Sequence, residues 1–225
     1  MFSTDEFVAW SKKVTLFVHN TSHVDGEPHP RLLYEKGGVG WPTVVMLDDE
    51  GRTLDVVGHM TPVQQLENTY DKLMQWKELR SKAENSRDRA VAKELFMMEL
   101  AMGNRPFAEM LKRRRNLMFS DNEQKLVEQQ LINLQFQETL RATKDGGEAD
   151  SGKTFVEMFR VGRIPDTKST TMFWKYQFDY AARQRDVELF EELLTWLQAN
   201  RKDDVRLRRY LRQLETQLEQ LKRGE

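Results

Sequence analysis

A chain of 225 residues, 39% hydrophobic and 32% charged, is long enough to bury one or two cores without disulfides or metals. It contains no cysteine, which excludes disulfide scaffolds, thiolate zinc sites and cysteine nucleophiles. The net charge of -1 is unevenly spread: residues 1–75 hold six Lys+Arg and eleven Asp+Glu, whereas residues 76–225 hold 29 and 25. That asymmetry sets a boundary near residue 75, while the mixture of signs leaves no strong nucleic-acid footprint. No apolar run approaches the ~20 residues that cross a bilayer. The opening MFSTDEFVAWSKK has neither the basic nor the apolar region of a secretory signal, so a cytoplasmic chain is expected.

Residues 4–12, TDEFVAWSK, begin with a capping Thr4 and place Phe7, Val8 and Trp10 on one or two helical turns. Residues 14–19, VTLFVH, are β-branched and aromatic and predict a buried strand. A turn-rich loop, NTSHVDGEPHP, leads into RLLYEK, a short helix closed by Gly37 and Gly38. Residues 43–58, TVVMLDDEGRTLDVVG, predict strand, turn and strand, with Asp49, Glu50 and Gly51 supplying the reversal. Thr61 is placed to cap the next helix, with Pro62 at its first position and Gln64 at the capping-box spacing.

From there the pattern is helical: to about residue 84, then 86–102, 105–117, 120–144, 153–161, 168–183, 186–199 and 203–223. Residues 144–152, KDGGEADSG, have three glycines among acidic residues and nothing to bury, so they read as a linker. ELFMMELAMGNRPFAEMLKR and FDYAARQRDVELFEELLTWL each read as helix, tight polar turn, helix. They look like tetratricopeptide-like hairpins without the full signature or the ~34-residue period of that repeat. In the last helix Leu207, Leu211, Leu214, Leu218 and Leu221 step by four and three, which suits docking on the preceding hairpin or a short dimeric seam.

Three features taken together carry a resemblance to a known family. Gly40-Trp41-Pro42-Thr43 precedes the first hairpin strand, Gly58 ends the second, and FSTDEFVAWSKK is followed by VTLFVH. In that order the first third of the chain resembles the thioredoxin-like superfamily. The resemblance implies a cis-proline loop at Gly40, Trp41, Pro42 and Thr43 that presents backbone groups to an extended peptide. In such relatives the C-x-x-C motif lies just before the position of FST, after one or two strands. The resemblance therefore implies an N-terminally truncated domain without its redox centre and central strand. Its partial sheet is then closed by direct pairing, by another chain or segment, or by sequence upstream of Met1. FVEMFRVGRIPDTKSTTMFW looks like the helical extension behind some bacterial thioredoxin-like domains.

His19, His23, His29 and His59 all lie in the first segment, where Asp25 and Glu27 are carboxylate companions for a metal. The competing reading makes them solvated loop and strand-end residues. Lys112-Arg113-Arg114-Arg115 suits the wet side and last turn of an amphipathic helix. Phe155, Phe159, Met172, Phe173, Trp174, Phe178, Tyr180, Phe190 and Trp196 recur at helical spacings and read as core. DGGEADSGKT lacks the phosphate-loop spacing and a preceding strand.

The expected architecture is an α/β thioredoxin-like segment of three strands over residues 1–80, followed by an all-α helical-hairpin domain over 81–225. The expected function is a non-catalytic binding or scaffold protein without a cofactor, taking a protein or peptide partner and neither nucleic acid nor membrane. Two alternatives stand beside it: a member or fragment of a thiol-disulfide oxidoreductase lineage with its active centre upstream, and a histidine-based metal-binding protein. A homodimer through the C-terminal helix or through sheet completion is a further option.

Overall fold

The computed structural model describes residues 2–19, 29, 32–38, 43–58, 62–143, 148–167, 169–201 and 207–224. Its elements run α1 (Asp5–Ser11), α2 (Leu32–Glu35), β1 (Val44–Leu47), β2 (Thr53–Gly58), α3 (Val63–Asn85) and α4 (Arg89–Met102). They continue with α5 (Phe107–Arg114), α6 (Asp121–Thr143), α7 (Glu148–Arg160), α8 (Thr170–Gln184), α9 (Val187–Arg201) and α10 (Leu207–Arg223). Helix dominates, with one two-stranded antiparallel sheet among the described residues. The chain forms two compact units, Met1–Val127 and Glu128–Glu225, which divide inside α6. The boundary expected at 80/81 falls inside α3, because α4 packs on α3 and sends Leu95 into the same core as the hairpin.

In the first unit, Thr4 caps α1 by accepting from the Phe7 amide at 3.3 Å, and the helix buries Phe7 and Trp10. Gly37, at φ 86°, lets the chain turn away from α2 as expected. β1 and β2 pair antiparallel around Val45↔Val56 and Met46↔Asp55, with register irregularities on both sides. Leu54 and Val57 are three residues apart, so a regular strand would send them to opposite faces. The irregularities re-phase β2, and both side chains are buried. The reversal rests on Asp48 more than on its neighbours. Its carboxylate accepts from the Glu50 amide at 3.0 Å, the Arg52 amide at 2.8 Å and Arg52 Nε at 2.7 Å. Pro62 occupies the N-cap of α3, one position earlier than expected, and Thr61 lies outside the described residues. The core joins Phe7, Trp10, Met46, Leu54, Val57, Leu66, Trp76 and Leu95.

The helix-turn-helix joins form as expected. Gly103, at φ 62°, ends α4 with its amide on the Glu99 and Leu100 carbonyls. Arg185 ends α8 in the same left-handed region, and Asp186 then caps α9 by accepting from the Leu189 amide at 2.9 Å.

In the second unit the aromatic residues form one core in which Phe136, Phe155 and Phe173 lie within 6.0 Å of one another and Trp174 stacks on Trp196 at 4.8 Å. Leu214 and Leu218 of α10 are buried in that core, and Leu211 and Leu221 pack against it. The leucine seam thus docks within the unit. The linker expected at 144–152 is corrected over its second half: α7 begins at Glu148, and Ser151 and Gly152 are buried, while 144–147 lie outside the described residues. A Cβ on Gly152 would lie 2.5 Å from Tyr180 Cβ and 2.7 Å from the Tyr176 carbonyl, so the glycine is what lets α7 and α8 approach.

Candidate partner-binding surface

The surface of interest begins where α1 ends. The Lys13 amide bonds back to the Trp10 carbonyl at 2.9 Å, and the Val14 amide to the Ser11 carbonyl at 3.4 Å, which unwinds the helix. Val14 still packs on the first core. Beyond it the expected buried strand at 14–19 is overturned. Residues 15–19 form no regular secondary structure, and Leu16, Phe17 and Val18 are 54%, 74% and 88% exposed. Strand propensity describes a fit to a pleated, half-buried surface, and among the described residues no strand lies alongside. Among the described residues, none of 16–18 makes a hydrogen bond. Among the described residues the sheet is two-stranded, so the expected three-strand segment is not found there.

Two polar atoms flank this run without partners. Trp10 Nε1 is buried in a side chain only 4% exposed, and His19 Nε2 is buried at the other end. A buried donor or acceptor left unsatisfied costs about 1–3 kcal/mol. The hairpin offers a second opening. Among the described residues β1 pairs only with β2, which leaves its other edge without a described strand beside it.

Of the loop the sequence singles out, Thr43 is half-buried at the entry to β1. Gly40, Trp41 and Pro42 lie outside the described residues, as do His23 and His59. His29 is exposed before α2, where its carbonyl accepts from the Leu32 amide at 3.1 Å. Among the described residues no three His, Asp or Glu side chains gather as a metal would need.

Several charged side chains are engaged with one another. Lys13 pairs with Glu67 and lies 5.7 Å from the Tyr70 ring. In α5, Arg113 turns inward to Glu99, a carboxylate the sequence reading passed over. Its signal was available: Glu99 stands with Leu95, Phe96 and Leu100 on the apolar stripe of α4, where an acid survives only with counter-charges.

Each unit also carries an open groove. One of about 540 Å³ in the first unit is lined by Arg87, Arg89 and Arg115, where Asp88 already accepts from the Ala90 amide at 2.8 Å. One of about 590 Å³ in the second is lined by Phe159, Trp196, Glu188, Glu191 and Glu192, with Lys222 Nζ 2.6 Å from Glu191. Part of the charge in each is met within the chain.

Chemically, the 14–19 surface can bury apolar groups and share backbone hydrogen bonds, and with no cysteine in the chain it has no thiolate to offer. No helix among the described residues is long and apolar enough to cross a membrane. No protein-family model, no curated protein and no solved structure matches the chain, so this surface is read from its own residues.

Proposed function

We propose that the chain is a non-catalytic binding or scaffold protein whose first unit is thioredoxin-like and engages a protein or peptide partner in extended form. The observation that carries the reading is the uncovered run at 16–18, three large apolar side chains in sequence that make no backbone hydrogen bond among the described residues. Such runs mark association surfaces, and an extended segment laid beside one gains backbone hydrogen bonds together with apolar burial. Gly40, Trp41, Pro42 and Thr43 are the second contact that the family resemblance implies. The absence of cysteine supports binding without disulfide exchange.

Uncharged peptides rich in Val, Ile and Thr, titrated into isotopically labelled chain, should shift the backbone amides of 14–19 and β1. Saturating peptide that leaves those amides in place would remove the binding reading. In parallel, reduction of an insulin disulfide should run at the buffer rate, and any turnover above it would overturn the non-catalytic half of the proposal.

A further inference from the structure

We propose that the groove between the start of α4 and the connection from α5 to α6 binds an acidic peptide segment of a partner, one in which carboxylates flank apolar side chains. This surface is separate from the run at 14–19 and stands or falls without it. Arg87 and Arg89 enter the groove from the start of α4, on either side of Asp88 in the chain, and Arg115 enters it just after α5, together with Leu117 and Met118. All three arginines are exposed, and among the described residues none of their guanidinium groups has an acidic partner.

Acids close to them in sequence are taken by other cations. Glu84 accepts from Arg80 Nε at 2.9 Å, Glu123 accepts from Lys93 Nζ at 2.8 Å, and Glu109 lies within 3.7 Å of both Arg105 and Arg113. The Asp88 carboxylate caps its own helix by accepting from the Ala90 amide at 2.8 Å. It fills the α4 N-terminus, so the groove offers an anion three guanidinium forks rather than a helix end. Three positive charges against one negative leave an excess of two, which two carboxylates match.

Guanidinium forks take carboxylates and phosphates alike, and the rest of the lining selects between them. Met118 is 82% exposed and Leu117 is half-buried, an adaptable apolar surface that a leucine of a peptide would cover and a phosphate chain would not. Asp88 repels a phosphate, which concentrates nearly two charges on one small group, more than it repels carboxylates spaced along a peptide. The volume of about 540 Å³ lies in the range of ligand-sized clefts and admits a short segment.

A capped peptide containing Glu-Leu-Leu-Glu, titrated into the isotopically labelled full chain, should shift the amides of 86–92 and 115–118 and the side-chain Nε–H signals of Arg87, Arg89 and Arg115. The Gln-Leu-Leu-Gln counterpart should leave them in place. Arg87→Ala, Arg89→Ala and Arg115→Ala should each weaken binding by about threefold, the size expected of one exposed ion pair. Their helix content should be retained because the positions are exposed. Asp88→Asn keeps a capping residue and removes the one negative charge, so it should tighten binding by about as much, a gain that unfolding cannot mimic. Arg212→Ala, which removes the same charge from an exposed site in the second unit, should change nothing.

A peptide that leaves 86–92 and 115–118 in place overturns the inference, as does a Gln counterpart that binds equally well or an Arg212→Ala loss equal to those in the groove. Inorganic phosphate or a single-stranded oligonucleotide that binds the groove more tightly than the peptide also overturns it, by assigning the groove to a phosphate ligand. The uncharged peptides that test 14–19 report on other amides, so failure at one surface is read apart from failure at the other.

Discussion

Arg105 Nη2 lies 3.1 Å from Glu99 Oε1, an ion pair whose carboxylate is only 1% exposed. Arg105 Nε reaches the same oxygen at 3.2 Å and Trp76 Nε1 at 3.3 Å, while Arg113 donates to Oε2. One carboxylate therefore ties α3, α4 and α5 together, and Glu109 sits within 3.7 Å of both guanidinium groups. The desolvation of Glu99 is offset only while its donors stay in place.

Removing the carboxylate should cost more than any exposed salt bridge in the chain. Glu99→Ala is expected to destabilise the first unit by about 3 kcal/mol, the lower end for a broken buried pair, because Arg113 is partly exposed and can turn to water. Glu99→Gln keeps an acceptor for the indole and should cost about half as much. Urea midpoints of the variants check both, and a Glu99→Ala chain as stable as the parent would show the network to be ornamental.

Much of the helical architecture is legible in the sequence because long apolar periodicities carry it, as do Gly103 and the helix-turn-helix around Arg185. Two of the misreadings share a cause. At 14–19 the residue types say what the segment fits, but a strand exists only when another strand pairs with it. At 148–152 the small and acidic residues look like linker, yet Ser151 is buried and Gly152 is small because two helices meet there. Composition cannot distinguish a residue that has nothing to bury from one whose missing side chain allows burial. The role of Asp48 was hidden for a related reason: its neighbours look like the turn, and only the geometry shows which carboxylate faces the amides.

The crossing of α7 and α8 sets two effects against each other at Gly152. Alanine in a helix is favoured over glycine by about 1 kcal/mol. The added Cβ, however, would meet Tyr180 Cβ at 2.5 Å and the Tyr176 carbonyl at 2.7 Å, neither of which is the free end of a flexible side chain. Overpacking of this kind costs about 1–3 kcal/mol, more where backbone must move. Gly152→Ala should therefore lower the melting temperature of the second unit. A rise would mean that α7 separates from α8 without loss.

The Asp48 turn should weaken in acid, with a definite sign. Burial pushes its carboxyl upward, but the hydrogen bonds from the Arg52 side chain and from the Arg52 and Glu50 amides outweigh it and hold the group below its ordinary 3.8. A folded value below the unfolded one means that the ionised turn contributes stability above the unfolded value, and that this is lost as pH falls through the folded one. Amide shifts of Glu50 and Arg52 followed from neutral to acid pH should show a midpoint below 3.8. Asp48→Asn should abolish that transition. A midpoint at or above 3.8 contradicts the hydrogen-bonding scheme.

The C-terminal leucine seam offers a clean separation between intramolecular and intermolecular packing. Leu214 is 1% exposed and Leu218 is 9% exposed within the core of the second unit. The polar flank of α10 reaches α9 through Gln198 Nε2 to Glu215 Oε1 at 2.9 Å and Lys222 Nζ to Glu191 Oε1 at 2.6 Å. Tyr210 packs on Phe178, and burial, with Asp179 adding to it, pushes its hydroxyl up to about 12. Leu214→Ala removes a fully enclosed side chain and should destabilise the second unit by about 2–5 kcal/mol. Exposed Arg212→Ala on the same helix should stay within about 0.5 kcal/mol of the parent. Neither should change the oligomeric state read by sedimentation, because the seam is spent on the chain's own core. A Leu214→Ala chain that kept its stability but lost an assembly would place the seam between copies instead.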